Sequence, residues 1–151
     1  MESSIIRITE SWTENNEKLL KGWLDISINK SDFHDRQGKY YKWKHQLYGL
    51  PSILIPVIIS PLVLILNITP TTAEIISTSS LIATGVCNGV HRFFGFQEKS
   101  MKHFEYSGKY AELKTFIEVE LAKEREYRFD CDRFIEICQS KIDRFNETEP
   151  I

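Results

Sequence analysis

The middle of this sequence has almost no charge. From Gln46 to Ala73 the chain contains no Asp, Glu, Lys, Arg or His, and after Glu74 a second uncharged stretch runs from Ile75 to Val90. The overall values of 42% hydrophobic and 26% charged residues would suit a soluble protein, but here the charges are segregated to the two ends of the chain. This partition is expected when the middle lies in hydrocarbon and the ends lie in water.

The sequence also lacks the motifs of common enzyme chemistry. It contains no HExxH zinc motif, no P-loop, no GxGxxG and no GxSxG nucleophile motif. Its three cysteines form no CxxC pair, so they are expected to be buried free thiols in a reducing compartment. The four histidines are scattered, and we expect His34 to occupy a solvated or interfacial helix position. These absences predict a protein that is not an enzyme and uses no metal or other cofactor.

The first uncharged stretch predicts one membrane-spanning helix, from Leu47 to Ile68. At about 1.5 Å per residue this helix would extend roughly 30 Å, which is the thickness of the hydrocarbon layer of a bilayer. Between Ile53 and Ile59 the aliphatic side chains would point in every direction, so no face is left for water. Pro51, Pro56 and Pro61 argue against buried strands, because proline cannot donate to a β-ladder, and they are tolerated in membrane helices.

A second, less hydrophobic membrane helix is predicted from Ile75 to about Phe96. The segment from Asn67 to Thr72 has a turn-forming composition, so the chain that leaves the first membrane helix is expected to return across the bilayer. At the far end, His91 and Arg92 are placed where their side chains can reach the membrane surface. The two helices therefore predict a transmembrane hairpin.

Basic residues flank both predicted membrane helices, and the turn between them has no Lys or Arg. Because basic residues are retained on the cytosolic side, both termini of this integral membrane protein are predicted to be cytosolic. The residues expected at the membrane interface are Lys42, Trp43, Lys44 and Arg92. Anionic lipid headgroups can bind such basic clusters, so the lipid bilayer is an expected partner and nucleic acid is not.

Polar and small side chains recur along one side of the second membrane helix. Their spacing of three or four residues places the polar ones in one stripe, beside a G-x-x-x-G step that would let another helix approach closely. The residues are Ser77, Ser80, Thr84, Gly85, Asn88, Gly89 and His91. The stripe could line a hydrated path through an oligomer, or it could only hydrogen-bond packed helices together. Both alternatives predict a homo-oligomer, and in the first His91 could gate the path by protonation.

Amphipathic helices are predicted at both ends of the hairpin. The N-terminal apolar face comprises Trp12, Leu19, Leu20, Trp23 and Leu24, and a further helix is expected from about Asp32 into the first membrane helix. The C-terminal faces comprise Tyr106, Tyr110, Leu113, Ile117 and Leu121, then Tyr127, Cys131, Phe134, Cys138, Ile142 and Phe145. The predicted fold class is therefore all-α, with a transmembrane helical hairpin over residues 47–96 between cytosolic helices over 1–46 and 97–151.

The order of several segments matches a known pattern. These segments are Trp23, His34, the aromatic and basic run Gly38–His45, Leu50-Pro51 before an aliphatic helix, a glycine-containing second membrane helix, and Glu98–His103 followed by Tyr106 and Tyr110. Over roughly Trp23 to Leu121 the chain resembles the SLATT domains, two-transmembrane helical modules predicted to act as membrane effectors in bacterial conflict systems. The chain departs from that pattern in Pro56 and Pro61, and it is expected to have no fused nucleotide-sensing, nuclease or nucleotidyltransferase domain.

Two functions of different classes follow from these patterns. The resemblance implies a membrane-embedded oligomer, a candidate pore-forming effector that responds to a signal through a sensor partner. The alternative is a membrane-anchored structural or scaffold protein with a coat protein as its partner, such as a minor capsid protein of a membrane-containing large DNA virus. An effector would be sparse and toxic on induction, whereas a scaffold would co-purify with a coat in fixed stoichiometry.

Overall fold

The protein is all-helical, as the sequence predicts. A computed structural model describes residues 11–66 and 68–150, and it contains no strand within those ranges. The helices that lie within these ranges are α1 (Glu14–Ile65), α2 (Pro70–Phe94), α3 (Phe96–Ala122) and α4 (Cys131–Thr148), with a 3-10 turn at Arg125–Tyr127 between the last two. Asn67, which belongs to the predicted turn, lies outside the described residues.

Helix α1 is a single helix of 52 residues. The expected continuity between a helix at Asp32 and the first uncharged stretch is confirmed, and the helix already begins at Glu14. It continues through Pro51, Pro56 and Pro61, each of which removes the backbone donor for the carbonyl four residues earlier. The same helix therefore carries an amphipathic, charged N-terminal half and an apolar C-terminal half.

The chain forms two compact units, and the boundary falls inside α1 and α3. The terminal unit takes in the described residues of Met1–Gln37 and Lys102–Ile151, and the central unit takes in those of Gly38–Met101. The terminal unit thus combines the start of α1 with most of α3 and all of α4. The central unit combines the rest of α1 with α2 and the start of α3.

The terminal unit has a conventional apolar core. Its buried side chains are Trp12, Leu20, Leu113, Ile117, Cys131, Phe134 and Cys138. Trp12 Nε1 donates a hydrogen bond to the Phe129 carbonyl (2.8 Å), and the Asp130 carboxylate caps α4 by accepting from the Arg133 amide (3.1 Å). Both contacts fix the loop before α4, because they satisfy polar groups at its ends.

The predicted apolar faces are confirmed for most of their members. Tyr106, Tyr110, Leu113 and Ile117 of α3 are all buried. The prediction is wrong at Leu19, which is 43% exposed, and at Tyr127, which is 70% exposed. Of the two adjacent leucines, Leu20 is buried in the core and Leu19 is exposed. Tyr127 belongs to the 3-10 turn, where the period of an α-helix does not apply.

In the central unit, α2 contacts the C-terminal half of α1, and most aliphatic side chains of both helices point away from the contact. None of the residues of α2 is fully buried. The residues exposed by more than half include Leu50, Ile53, Val57, Ile58, Leu64, Ile65, Ile75, Leu81, Ile82 and Val86. This unit therefore has a surface dominated by aliphatic groups.

Among the described residues, one helix is long and apolar enough to cross a membrane, namely α1. Only 6% of its most apolar window is buried. The core helix of a soluble protein passes the same length and composition test, but such a helix would be mostly buried. Helix α2 does not pass that test, in line with its serines, threonines and asparagine.

Candidate functional site

The predicted polar stripe of α2 divides between two faces. Ser80, Thr84 and His91 are half-buried against α1, whereas Ser77 and Asn88 are exposed. Since successive residues of a helix are about 100° apart, Ser77 and Asn88 lie directly beside the face that contacts α1. Contact with α1 thus accounts for part of the stripe and leaves the rest uncovered.

Gly85 and Gly89 lie on an open face of α2. A Cβ atom added at either position would meet no atom within 4 Å. The contact between α1 and α2 therefore does not use the G-x-x-x-G step, and the glycines remain available to a helix from outside the chain. They lie on the same side of the helix as Asn88 and Ser77, with the exposed Leu81 between Ser77 and Gly85. We call Ser77, Gly85, Asn88 and Gly89 the open α2 face.

Serine hydroxyls collect in a groove between α1 and α2. The groove has a volume of about 390 Å³, and Ser60, Ser77 and Ser80 contribute its polar groups. Its apolar lining comes from Pro56, Ile59, Val63, Leu64 and Leu81. Closer to the middle of α2, the Thr84 hydroxyl oxygen is buried and has no hydrogen-bond partner among the described residues.

His91 forms a pair with His45 across α1 and α2. The distance from His91 Nε2 to His45 Nδ1 is 2.6 Å, and the ring centroids are 4.5 Å apart. The His91 ring packs against α1 at Gly49, where an added Cβ atom would lie 3.5 Å from His91 Nε2, an ordinary van der Waals distance. Two imidazoles can share this bond only while at least one of the facing nitrogens lacks a proton.

The four residues predicted at the membrane interface are mostly exposed. Trp43 has 57% of its surface exposed, and Lys42 and Arg92 are exposed as well. Lys44 is half-buried, with its Nζ 4.3 Å from the centre of the Tyr40 ring. A hydrogen bond with Tyr40 raises the pKa of Lys44 above its ordinary value, so this residue stays charged at neutral pH.

A cluster that the sequence did not reveal lies in the terminal unit. His34 is fully buried, and its Nε2 lies 2.7 Å from the Glu149 carboxylate. On its other side, His34 Nδ1 lies 2.9 Å from His103 Nδ1. Lys30 Nζ donates to both oxygens of Glu149 at 2.7 and 2.9 Å. We call Lys30, His34, His103 and Glu149 the buried histidine cluster.

Two tyrosines of α3 complete the surroundings of His34. The Tyr110 ring stacks on the His34 ring with centroids 5.9 Å apart, and its hydroxyl donates to Glu149 (3.5 Å). Tyr106 OH donates to the Thr148 hydroxyl. Burial and the nearby Glu149 carboxylate raise the pKa of Tyr110 to about 12. Tyr110 therefore remains a neutral donor to the Glu149 carboxylate at the end of α4.

The expectation that His34 is solvated or interfacial is wrong, and the four histidines are not scattered but form two pairs. His34 and His103 are 69 residues apart in sequence, so no local motif could show their contact. A signal existed for His103, because it stands three residues before Tyr106 in register with the buried face of α3. Glu149 gave no comparable signal, since it follows the last residue of α4.

The contacts of the buried histidine cluster run in a line, from Glu149 through His34 to His103. Among the described residues, no group of three or more His, Cys, Asp or Glu side chains could hold a metal ion. A linear array of this kind suits the sharing of a proton rather than the coordination of a cation.

Comparison with known proteins adds no relative. No protein-family model, curated protein or solved structure matches this chain.

Proposed function

We propose that this protein is a small integral membrane protein that self-associates through α2 and acts as a pore-forming effector similar to the SLATT domains. In this proposal residues 47–65 of α1 and the whole of α2 form an antiparallel transmembrane hairpin. The observation that carries the proposal is the exposed aliphatic surface of the central unit.

The exposed surface is too apolar for water. Ile53 is 64% exposed, Val57 63% and Leu64 79%. Each aliphatic side chain left in water forgoes roughly 1.5–3 kcal/mol of burial free energy. Soluble monomers rarely expose a contiguous apolar patch of more than a few hundred Å². Lipid removes this penalty for all of these side chains at once.

The two faces of α2 fit the same environment. Ser80, Thr84 and His91 are turned towards α1, where their polar groups are shielded from lipid. Ile75, Ile82, Val86 and Phe93 are exposed, as expected of side chains that face acyl chains. The open α2 face then remains as a surface that is less suited to lipid, and a second copy of the chain would cover it.

The orientation in this proposal follows from the basic residues. Those beside the first membrane segment are Arg36, Lys39, Lys42 and Lys44, and those beside the second are Arg92, Lys99, Lys102 and Lys109. Both groups are expected on the cytosolic side. The terminal unit, which carries both chain ends, would then be cytosolic.

Alkaline carbonate extraction tests membrane integration. Membranes from cells that produce the full chain are washed with alkaline carbonate and sedimented. A protein held by lipid contact stays in the pellet, whereas one held by charge alone is released. Recovery of the chain in the supernatant would contradict the proposal.

Liposome leakage tests the pore. Asn88→Leu replaces the amide of the open α2 face with an aliphatic group, so it is expected to abolish ion leakage while assembly persists. The matched control is Ser79→Leu, because Ser79 is also exposed but lies on the opposite side of α2. Equal leakage from both variants and from the wild type would mean that Asn88 packs against a neighbouring helix and does not line the path. Co-purification with a coat protein in fixed stoichiometry would instead favour the scaffold function.

A further inference from the structure

The buried histidine cluster holds the end of the described chain against α1 and α3. Glu149 is the residue that follows α4, and its carboxylate is the acceptor for Lys30 Nζ and His34 Nε2. Thr148, the last residue of α4, accepts from Tyr106 OH. The C-terminal end of α4 is therefore fastened by polar bonds, whereas the start of α4 is fastened by the apolar core around Phe134.

The protonation states follow from the bonds. An ionised carboxylate can only accept, so His34 Nε2 must carry a proton when Glu149 is charged. Burial opposes that charge, but the hydrogen bonds from Lys30 and His34 prevail and lower the pKa of Glu149 below 4.5. A neutral His34 then has an acceptor at Nδ1, and His103 must donate its Nδ1 proton to it. At neutral pH the two rings thus share two protons.

We propose that this cluster is an acid-released latch, in which double protonation of the His34–His103 pair detaches the C-terminal end of α4 from α1 and α3. This inference goes beyond the proposed membrane function, because every group in the latch belongs to the terminal unit.

The pair can accept one proton without breaking. A proton taken up at His103 Nε2 lets the His103 Nδ1 proton move to His34 Nδ1, which leaves His34 as an imidazolium between the Glu149 carboxylate and a neutral His103. The pair then carries three protons and every bond of the line survives. A fourth proton puts N–H groups on both facing nitrogens, which are 2.9 Å apart. That arrangement has no acceptor, and it places two positive charges in a buried site.

The charged and titratable groups around the pair come from three elements. They are Lys30 on α1, His103, Tyr106 and Tyr110 on α3, and Glu149 after α4. Among these groups Glu149 is the anion, and Lys30 already pairs with it. Burial lowers the pKa of His103, and the neighbouring His34 lowers it further. The Glu149 charge raises this pKa, but the net shift is downward.

The sign of the pH dependence is therefore fixed. Unfolded or detached, His103 has its ordinary pKa of 6.5, and in the latch its pKa is lower. The detached state binds more protons in this range, so the latch is at full strength above pH 6.5 and weakens as the pH falls below that value. Glu149 contributes in the same direction at lower pH, since its own pKa in the latch lies below 4.5.

The test is a histidine titration by NMR on the full chain in phosphatidylcholine bicelles. Ring ¹⁵N signals report the protonation of each histidine, and the backbone amides of Thr148 and Glu149 report attachment. We expect these amides to move to unfolded-chain values as His103 takes up its second proton. In His103→Gln this histidine-linked transition should be lost, whereas His91→Gln, a matched control in the central unit, should retain it.

Glu149→Gln provides a second variant that leaves the core of α4 untouched. Without the anion, Thr148 and Glu149→Gln are expected to show detached amide signals already at neutral pH. The latch is refuted if the wild-type amides stay in place with both rings protonated, or if the transition keeps its midpoint in His103→Gln. Neither outcome affects carbonate extraction, so the latch and the membrane proposal can fail separately.

Discussion

At the scale of single residues, the Thr84 hydroxyl presents an energetic problem. Its oxygen is buried between α1 and α2 without a hydrogen-bond partner in the described part of the chain. A buried and unsatisfied hydroxyl costs roughly 1–3 kcal/mol. The residue therefore weakens the contact between the two helices unless another molecule supplies the partner.

We expect Thr84→Val to stabilise the protein in detergent by about 1 kcal/mol, because valine keeps the shape and removes the unsatisfied group. The measurement is the unfolding free energy in a denaturing detergent titration. Thr115→Val is the matched control, since the Thr115 hydroxyl is exposed and already donates to the Ala111 carbonyl (3.0 Å). A loss of stability in Thr84→Val would mean that the hydroxyl has a partner in the assembled protein.

Phe134 allows a second residue-scale prediction, on the core of the terminal unit. It is 1% exposed, and its ring contacts the rings of Trp12 and Phe116 at centroid distances of 6.1 and 4.9 Å. Phe134→Ala should lower the unfolding free energy of this unit by about 3–5 kcal/mol through the cavity it leaves. Phe129→Ala, at a side chain that is 62% exposed, should cost less than about 1 kcal/mol. Equal losses in both variants, measured by thermal unfolding, would contradict the described core.

The burial of His34 could not be predicted from the sequence alone, whereas the buried face of α3 could. The apolar period of α3 predicted Tyr106, Tyr110 and Leu113 correctly, because burial imposes that period on one helix. The buried position of His34 depends instead on a bond to His103 and another to Glu149, which are brought in by different helices. Side-chain polarity alone favours a solvated position for histidine, and only the tertiary contacts reverse that preference.

At the scale of elements, α1 was easier to predict than α2. Its aliphatic run leaves no polar face, so its helical and unusually apolar character follows from composition. The alternation of small, polar and aliphatic residues in α2 predicted a polar stripe, but the sequence does not show which surface would cover that stripe. The structure assigns Ser80, Thr84 and His91 to α1 and leaves Ser77 and Asn88 outside that contact.

The glycines of α2 separate folding of the chain from its assembly. Gly85→Leu and Gly89→Leu add side chains where the chain itself has no atom within 4 Å of the new Cβ, so the fold should survive. Self-association should weaken by at least about tenfold, since bulky groups keep a second helix from approaching closely. Chemical crosslinking or analytical ultracentrifugation in detergent measures this effect.

Gly22→Leu is the control for the glycine variants. Gly22 lies in α1 within the terminal unit, and a Cβ atom there also meets nothing within 4 Å. The three substitutions therefore change helix propensity in the same way at open positions. If Gly22→Leu weakened association as much as Gly85→Leu, the open α2 face would not be the contact between copies.

At the scale of the whole molecule, the surfaces of the two units suit different solvents, water for one and lipid for the other. The terminal unit has a buried aromatic core and many exposed charges, whereas the central unit exposes aliphatic side chains over the C-terminal half of α1 and over α2. One continuous helix, α1, belongs to both units. If the membrane surface lay near the unit boundary, the terminal unit would be in water and the central unit in lipid. That surface would lie close to Lys42, Trp43 and Lys44.

The native thiols make a topology experiment practical. Burial raises the pKa of Cys138 to about 11 and also raises that of Cys131 above 9.0. Both thiols are fully buried, so they are expected to react very slowly with maleimides while the terminal unit is folded. Only Cys87, which is half-buried, has to be replaced by alanine to give a quiet background.

In that background, Lys21→Cys and Ser140→Cys place exposed thiols in the terminal unit, and Thr71→Cys places one next to the turn. A membrane-impermeant maleimide is applied to sealed vesicles and again after the vesicles are opened. Because the basic residues flank the ends and not the turn, we expect Lys21→Cys and Ser140→Cys to react from one side and Thr71→Cys from the other. Labelling of all three from the same side would mean that the chain does not cross the bilayer twice, and the exposed aliphatic surface would then have to be covered by protein.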